Sequence, residues 1–299
     1  MSDHGLFGRD SMMWRVNREM TTLFGGARAL LMQAAHPLVA AGARQTGAYR
    51  RDPWARLIRT VTLQSQLTFG TRRSALEVAD RINRLHAVIK GIDPVTGEWY
   101  DALDLDQLLW VHAALEVSVL DFYRFTVGEL SPAELQRYHE ENLTAAEVLL
   151  LPAGYVPATY DDMLRYVDDV IGSGRLLRTD VADEVADLVT SGAVPVRIKP
   201  VWAFVSLAAV GTLDPRLRRL YGLPWSPARQ RALDWSLAAL RRALPFAPRR
   251  LRTISPARWA ETLSPPPMGE EQLRHGQEAG PAAEEAARAW QPSGDGELN

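Results

Sequence analysis

GGARALLMQAAHPLVAAG, residues 25–42, is the stretch on which the reading of this chain turns. Ala27, Leu30, Leu31, Ala34 and Leu38 recur at the three-and-four spacing of one helix face. His36 and Pro37 interrupt that face. Pro37 lacks a backbone donor, so the run should bend there and leave the Gln33 carbonyl unpaired beside His36. Two later stretches repeat the theme, DPWARLIRT (52–60) and NRLHAVIKG (83–91). In the first, Arg56, Arg59, Thr60, Leu63 and Leu67 share one face; in the second, His86 follows Ile82 in an apolar stripe. A polar group on an apolar face costs stability unless it finds a partner, so each is a satisfied core residue or part of a site.

Outward from these stretches the pattern stays helical. Residues 12–24 predict a short amphipathic helix, which Gly25–Gly26 ends. Asp52–Pro53 predicts a helix start with Asp as N-cap and Pro at the first position. Ser74 and Glu77 predict a capping box for the next helix, which Gly91 stops. Asp104 should cap a long helix whose stripe is Leu105, Leu108, His112, Leu115, Val119 and Phe122, with Glu116 one turn beyond His112. Ser131–Pro132–Ala133–Glu134 predicts a second capping box, for a helix reaching about Leu151. Further helices are predicted over 159–171, 180–190, 200–213 and 227–244. Valine- and isoleucine-rich alternation is scarce, so essentially no sheet is expected, and the fold class is all-α. The expected organisation is an N-terminal amphipathic segment (1–21), one large helical domain enclosing a cofactor pocket (22–261), and a disordered tail (262–299). That tail is rich in Pro, Gly, Glu and Gln.

Composition narrows the chemistry. A chain of 299 residues with net charge −2 can bury a large core and gives no electrostatic case for nucleic acid. No basic stripe with interleaved aromatics stands out. The absence of cysteine excludes disulfides, iron–sulfur clusters, cysteine-bound zinc and a thiolate-ligated haem. The N-terminus lacks a secretory apolar region, and the most apolar window, Val201–Leu213, is shorter than the ~20 residues that span a bilayer. A cytoplasmic protein without a transmembrane segment is expected; oligomeric state is not legible.

GxSxG, the phosphate-binding P-loop, HExxH and a strand-borne GxGxxG are all missing. His139, with Glu140 and Glu141, is expected on a solvated charged face, and His4 and His275 in the termini. Taken singly, His36, His86 and His112 each read as hydrogen-bonded core residues. Together with Arg56, Arg59 and Thr60 they suit a haem: one imidazole on the iron, arginine on a propionate, apolar helix faces around the macrocycle. A lipid or terpenoid pocket in a non-enzymatic binder would look much the same.

At GGARALLMQAAHPLVAAG, RLIRTVTLQSQLTFGT, HAVIKG, YDALDLDQLLWVHAALEVS, LSPAELQRYHEE and LRRLYGLPWS the chain resembles the MpaB-like oxygenases, the family that includes the rubber oxygenase latex clearing protein. The resemblance runs from about Thr22 to Trp259. It implies an all-helical fold holding haem b, and an oxygenase that uses O₂ on a hydrophobic small molecule, with cleavage of an isoprenoid C=C bond in characterised members. Their R-x-x-K-T distal motif falls on Arg56, Arg59 and Thr60, and the resemblance makes His86 the proximal iron ligand, with a second-shell acceptor expected for its ring N–H. Arg56 would hold a propionate or the distal wall. His36 and His112 would be pocket donors or alternative axial ligands. Arg59 replaces a lysine that can cap the iron, and arginine is not an iron ligand. An Asp-His-Ser of many relatives is replaced here by Gln45–Thr46–Gly47, so no general base is named. The alternative expectation is a non-enzymatic haem or lipid binder.

Overall fold

Short polar side chains and prolines set most of the helix starts, and the chain is helical almost throughout. A computed structural model describes residues 5–51, 53–191 and 194–261. First come α1 (Met12–Asn17), a 3-10 turn (Met20–Phe24), α2 (Gly25–Ala34), α3 (Pro37–Thr46), the one-turn α4 (Ala48–Arg51), α5 (Pro53–Phe69) and α6 (Arg72–Ala87). An antiparallel hairpin follows, β1 (Lys90–Ile92) and β2 (Trp99–Asp101), with Gly91 opposite Tyr100. Then come α7 (Leu105–Thr126), α8 (Pro132–Val148), α9 (Tyr160–Gly172), α10 (Asp180–Ser191) and α11 (Lys199–Thr212). The chain continues through α12 (Pro215–Leu220), α13 (Pro227–Ala243), a 3-10 turn (Leu244–Phe246), α14 (Arg249–Arg252) and α15 (Ser255–Glu261). The expected tail, the Asp52 cap, His4 and His275 lie outside the described residues.

The fold is all-α, and the hairpin is the one correction to an expectation of essentially no sheet. Asp104 caps α7 by accepting the Gln107 N–H, and Ser131 with Glu134 forms the expected capping box of α8. Ser74 does not cap α6; Thr71 does, accepting the Ser74 N–H at 3.2 Å, while Glu77 pairs with Arg73. Residues 12–24 form a helix and a 3-10 turn rather than one helix, and Gly25 begins α2 instead of ending the run. A Cβ at Gly25 would stand 2.7 Å from the Ser118 carbonyl, so glycine lets α2 lie close against α7. Trp110 Nε1 donates to the Met32 carbonyl along the same contact.

At Pro37 the helix breaks rather than bends. His36 takes an extended ψ of 117° as N-cap of α3, the conformation a following proline favours. The Gln33 carbonyl is not left unpaired, because it accepts the His36 N–H at 3.1 Å.

Helix α7 is buried around most of its circumference, as a helix apolar on every side should be. The stripe expected to face inward contains its open side: His112 and Val119 are only partly covered, and Leu115 is 39% exposed. Helix α5 packs chiefly on α6, α4, α1 and α15, and α6 on α5 and α8, while α2 and α7 pack on each other. At its C-terminal end α5 buries Ser65, Leu67, Thr68 and Phe69, whereas Ile58 and Thr60 are exposed.

The two ends of the described chain meet. Glu19 is buried and accepts two hydrogen bonds from Arg252, and Ile254 N–H donates to the Arg18 carbonyl. Trp14, Phe69, Ile254 and Ala257 make a small core of their own there, with Trp14 edge-on to Phe69. Among the described residues no single helix is long and apolar enough to cross a membrane.

Candidate functional site

The polar groups inside this fold divide into those with partners and those without. Helix α7 supplies Glu116 and α8 supplies His139, and both side chains are fully buried. His139 Nδ1 lies 2.8 Å from Glu116 Oε1, and its Nε2 lies 2.8 Å from the Pro157 carbonyl. Both ring nitrogens therefore face acceptors, and only the doubly protonated ring can donate to both. Asn142, one turn along α8, sets its amide nitrogen 3.2 Å from Glu116 Oε2 and 3.3 Å from His112 Nε2. His112 Nε2 is also 3.4 Å from Glu116 Oε2.

The charges agree with that geometry. Burial alone would raise the Glu116 carboxyl, but hydrogen bonds from His112 and His139 outweigh it and hold the group at about 2. Burial opposes a charged His139 ring, yet the Glu116 carboxylate and the Pro157 carbonyl push it above its ordinary value. This is a closed network, with a carboxylate and an imidazolium sharing the core.

The expectation that His139 is solvated is thus overturned. Glu140 is exposed as expected, whereas Glu141 is partly covered and accepts the Met13 N–H. A signal was present, since Leu135, His139, Asn142 and Ala146 fall at i, i+4, i+7 and i+11 on the inner face of α8.

His36 and His86 behave differently. Each has its Nδ1 buried with no hydrogen-bond partner. Desolvation lowers both rings below the ordinary histidine value; at His36 the Arg175 charge adds to this, and Asp104 and Asp106 oppose it. Both are therefore neutral imidazoles. The structure brings none of the three histidines into a hydrogen bond with another among the described residues.

His86 sits in the last turn of α6, which leaves its neighbour Leu85 exposed. On α5, Arg56 and Arg59 are partly buried and Thr60 is exposed, its hydroxyl donating to the Arg56 carbonyl at 3.0 Å. The helices that bear the candidate residues, α5, α6 and α7, also leave large apolar side chains uncovered: Ile58, Leu85 and Leu115.

A haem fits this chemistry better than a metal held by protein ligands alone. Among the described residues no three His, Asp or Glu side chains are grouped to hold an ion. Haem brings four nitrogen ligands of its own and asks the protein for one or two axial groups and an apolar wall. A neutral, buried imidazole nitrogen without a protein partner meets that demand at His86 and again at His36. His112 is the poorer match, because its Nε2 faces the Asn142 amide and Glu116.

Residues 14–243 match the family model described as ER-bound oxygenase mpaB/B'/Rubber oxygenase, catalytic domain. The chain is similar to Uncharacterized protein Mb2261 of Mycobacterium bovis and Uncharacterized protein Rv2237 of Mycobacterium tuberculosis. Each is 26% identical over 234 residues, covering 75% of this chain and 89% of the relative. No solved structure matches the chain. The matched segment contains both the partnerless histidines and the closed carboxylate network, and the chain belongs to the mpaB/rubber oxygenase catalytic-domain family.

Proposed function

We propose that this oxygenase-family chain is haem-dependent and uses O₂ on a hydrophobic, isoprenoid-like small molecule, with C=C cleavage as its reaction. The observation that carries this reading is the buried, partnerless Nδ1 of the neutral His86 ring. Bound haem b would supply the redox-active iron needed for oxygen chemistry. His86 would hold the iron, and Arg56 would pair with a propionate.

The chain's own residues do the rest. Arg59 would act as a hydrogen-bond donor and would not be an iron ligand. Thr60 gives its hydroxyl proton to the Arg56 carbonyl, so its oxygen offers lone pairs to whatever lies beside α5. Ile58, Leu85 and Leu115 offer apolar surface for a substrate that carries no charge.

His36 is the second reading for the axial ligand, because its Nδ1 is also buried without a partner. The test is to supply haem during expression and compare the wild type with His86→Ala, His36→Ala and His112→Ala. We expect a Soret band in the wild type, at least a tenfold loss of haem affinity in His86→Ala, and retained haem in His112→Ala. If His86→Ala keeps its haem and axial nitrogen signature while His36→Ala loses both, the ligand is His36. A protein that takes up no haem, or binds isoprenoid without consuming O₂, defeats the oxygenase mechanism and favours a lipid binder.

A further inference from the structure

Three of the most exposed apolar side chains among the described residues lie in one short segment. Phe246 is 88% exposed, Trp235 75% and Leu251 63%. The inner face of α13 is ordinary: Leu233 is buried against Phe122 and Ala208, and Leu237 packs beside it. On the other side Arg231, Trp235, Ala238 and Arg242 repeat at i, i+4, i+7 and i+11. Phe246 ends the 3-10 turn that follows the helix, and Arg250 and Leu251 are exposed on α14. Between Pro227 and Arg252 the sequence holds seven arginines and a single acid, Asp234. This run corrects the expectation that no basic stripe with interleaved aromatics is present; the whole-chain charge of −2 averages over it.

Nothing in the packing of α13 requires a tryptophan at 235, and a phenylalanine almost wholly in water is a cost without a structural return. Aromatic and aliphatic tips set among arginines match a membrane interface, where the rings enter the headgroup–acyl boundary and the cations meet acidic headgroups. We propose that this face docks the protein on an anionic lipid bilayer, with Trp235, Phe246 and Leu251 inserting and Arg231, Arg242 and Arg250 on the headgroups. A second copy is the weaker occupant, because a two-fold contact through this face would set the same arginines against one another. A nucleic acid would use the arginines and the two rings but gain nothing from Leu251; a bilayer uses all three apolar tips. The proposal goes beyond the oxygenase reading and stands whether or not haem is bound.

The test is co-sedimentation of the full chain with phosphatidylcholine vesicles and with phosphatidylcholine–phosphatidylserine vesicles. Binding should need phosphatidylserine and weaken as salt rises. Trp235→Ser and Phe246→Ser should each weaken it roughly tenfold, and Arg231→Gln and Arg242→Gln roughly fivefold each. Val95→Ser, at another exposed apolar position, on the loop between the strands, should change nothing. Because these positions are exposed, thermal unfolding of every variant should match the wild type, which separates lost docking from lost fold. Absence of sedimentation, equal binding to neutral vesicles, or undiminished binding by the variants overturns the proposal. So does self-association abolished by Phe246→Ser, which assigns the face to a second copy. Tighter binding to a single-stranded oligonucleotide than to vesicles, lost in the same variants, overturns it in favour of nucleic acid.

Discussion

Helices α7 and α8 hold a charged pair in the middle of the protein, and α6 holds a neutral imidazole in its last turn. In the first region every polar atom of Glu116 and His139 meets a partner; in the second, His86 Nδ1 meets none. The contrast separates a buried polar residue satisfied within the chain from one that is not. A closed network stabilises its own geometry, whereas an orphaned nitrogen costs stability until something outside the chain satisfies it. Burial alone does not separate them; the list of partners does.

The sharpest way to break the comparison is to remove one member from each region. Glu116→Ala leaves the His139 imidazolium buried without its carboxylate and should cost about 3–5 kcal/mol. His86→Ala removes no hydrogen bond within the chain and should cost the haem-free protein only about 1 kcal/mol. Urea unfolding of the two variants without added haem measures both. Equal losses would mean that the two regions do not differ in the way described.

Titration sharpens it further, because the histidines shift in opposite directions. His139 is raised above its ordinary value of 6.5, so its stabilisation is complete below that value and is lost as pH rises through the folded value. Glu116 is held at about 2, so its share is present above its ordinary 4.5 and lost as pH falls toward 2. His86 and His36 are lowered, so theirs is present above 6.5 and lost as pH falls through their folded values. Wild-type stability should therefore decline on the alkaline side of 6.5, and a His139→Gln variant should lack that decline. Unfolding midpoints measured across pH give the slopes, and an unchanged alkaline slope in His139→Gln would contradict the assignment.

The smallest effect concerns the helix that presents His86. Thr71 caps α6, so Thr71→Ala should cost about 1 kcal/mol. Glu77→Gln, at the position of the box that does not form, should change stability by only a few tenths of a kcal/mol. Differential scanning calorimetry resolves the two, and a reversed order would restore Ser74 as the cap.

Much of the frame was legible because caps and periodicity are local. Asp104, the Ser131–Glu134 box and the helices from Thr159 to Leu244 needed no knowledge of distant residues. What escaped depends on contacts between helices. Glu116 and His139 stand on different helices 23 residues apart, and the acidic neighbours Glu140 and Glu141 disguised the inner face of α8. The break at Pro37 escaped because a proline can bend a helix or end it, and the extended conformation of His36 decides which. The α7 stripe was read with the correct period, but Leu115 within it lies on the open side, since a helix apolar all round gives no sharp direction. His36, Arg56, Arg59, Thr60 and His86 were visible as anomalies, but the missing partner at His86 is a property of its surroundings.

The junction of the two chain ends bears on the order in which the molecule is put together. Phe69 closes α5, yet two of its core neighbours, Ile254 and Ala257, are made almost 190 residues later and beyond the family-matched segment. During synthesis at about 5–20 residues per second, α5 therefore waits on the order of ten seconds or more for that support. The α2–α7 pairing uses residues no later than 126 and can form during that interval. The contact of α5 with Ile254 and Ala257 therefore completes packing that its contacts with α1, α4 and α6 can begin much earlier.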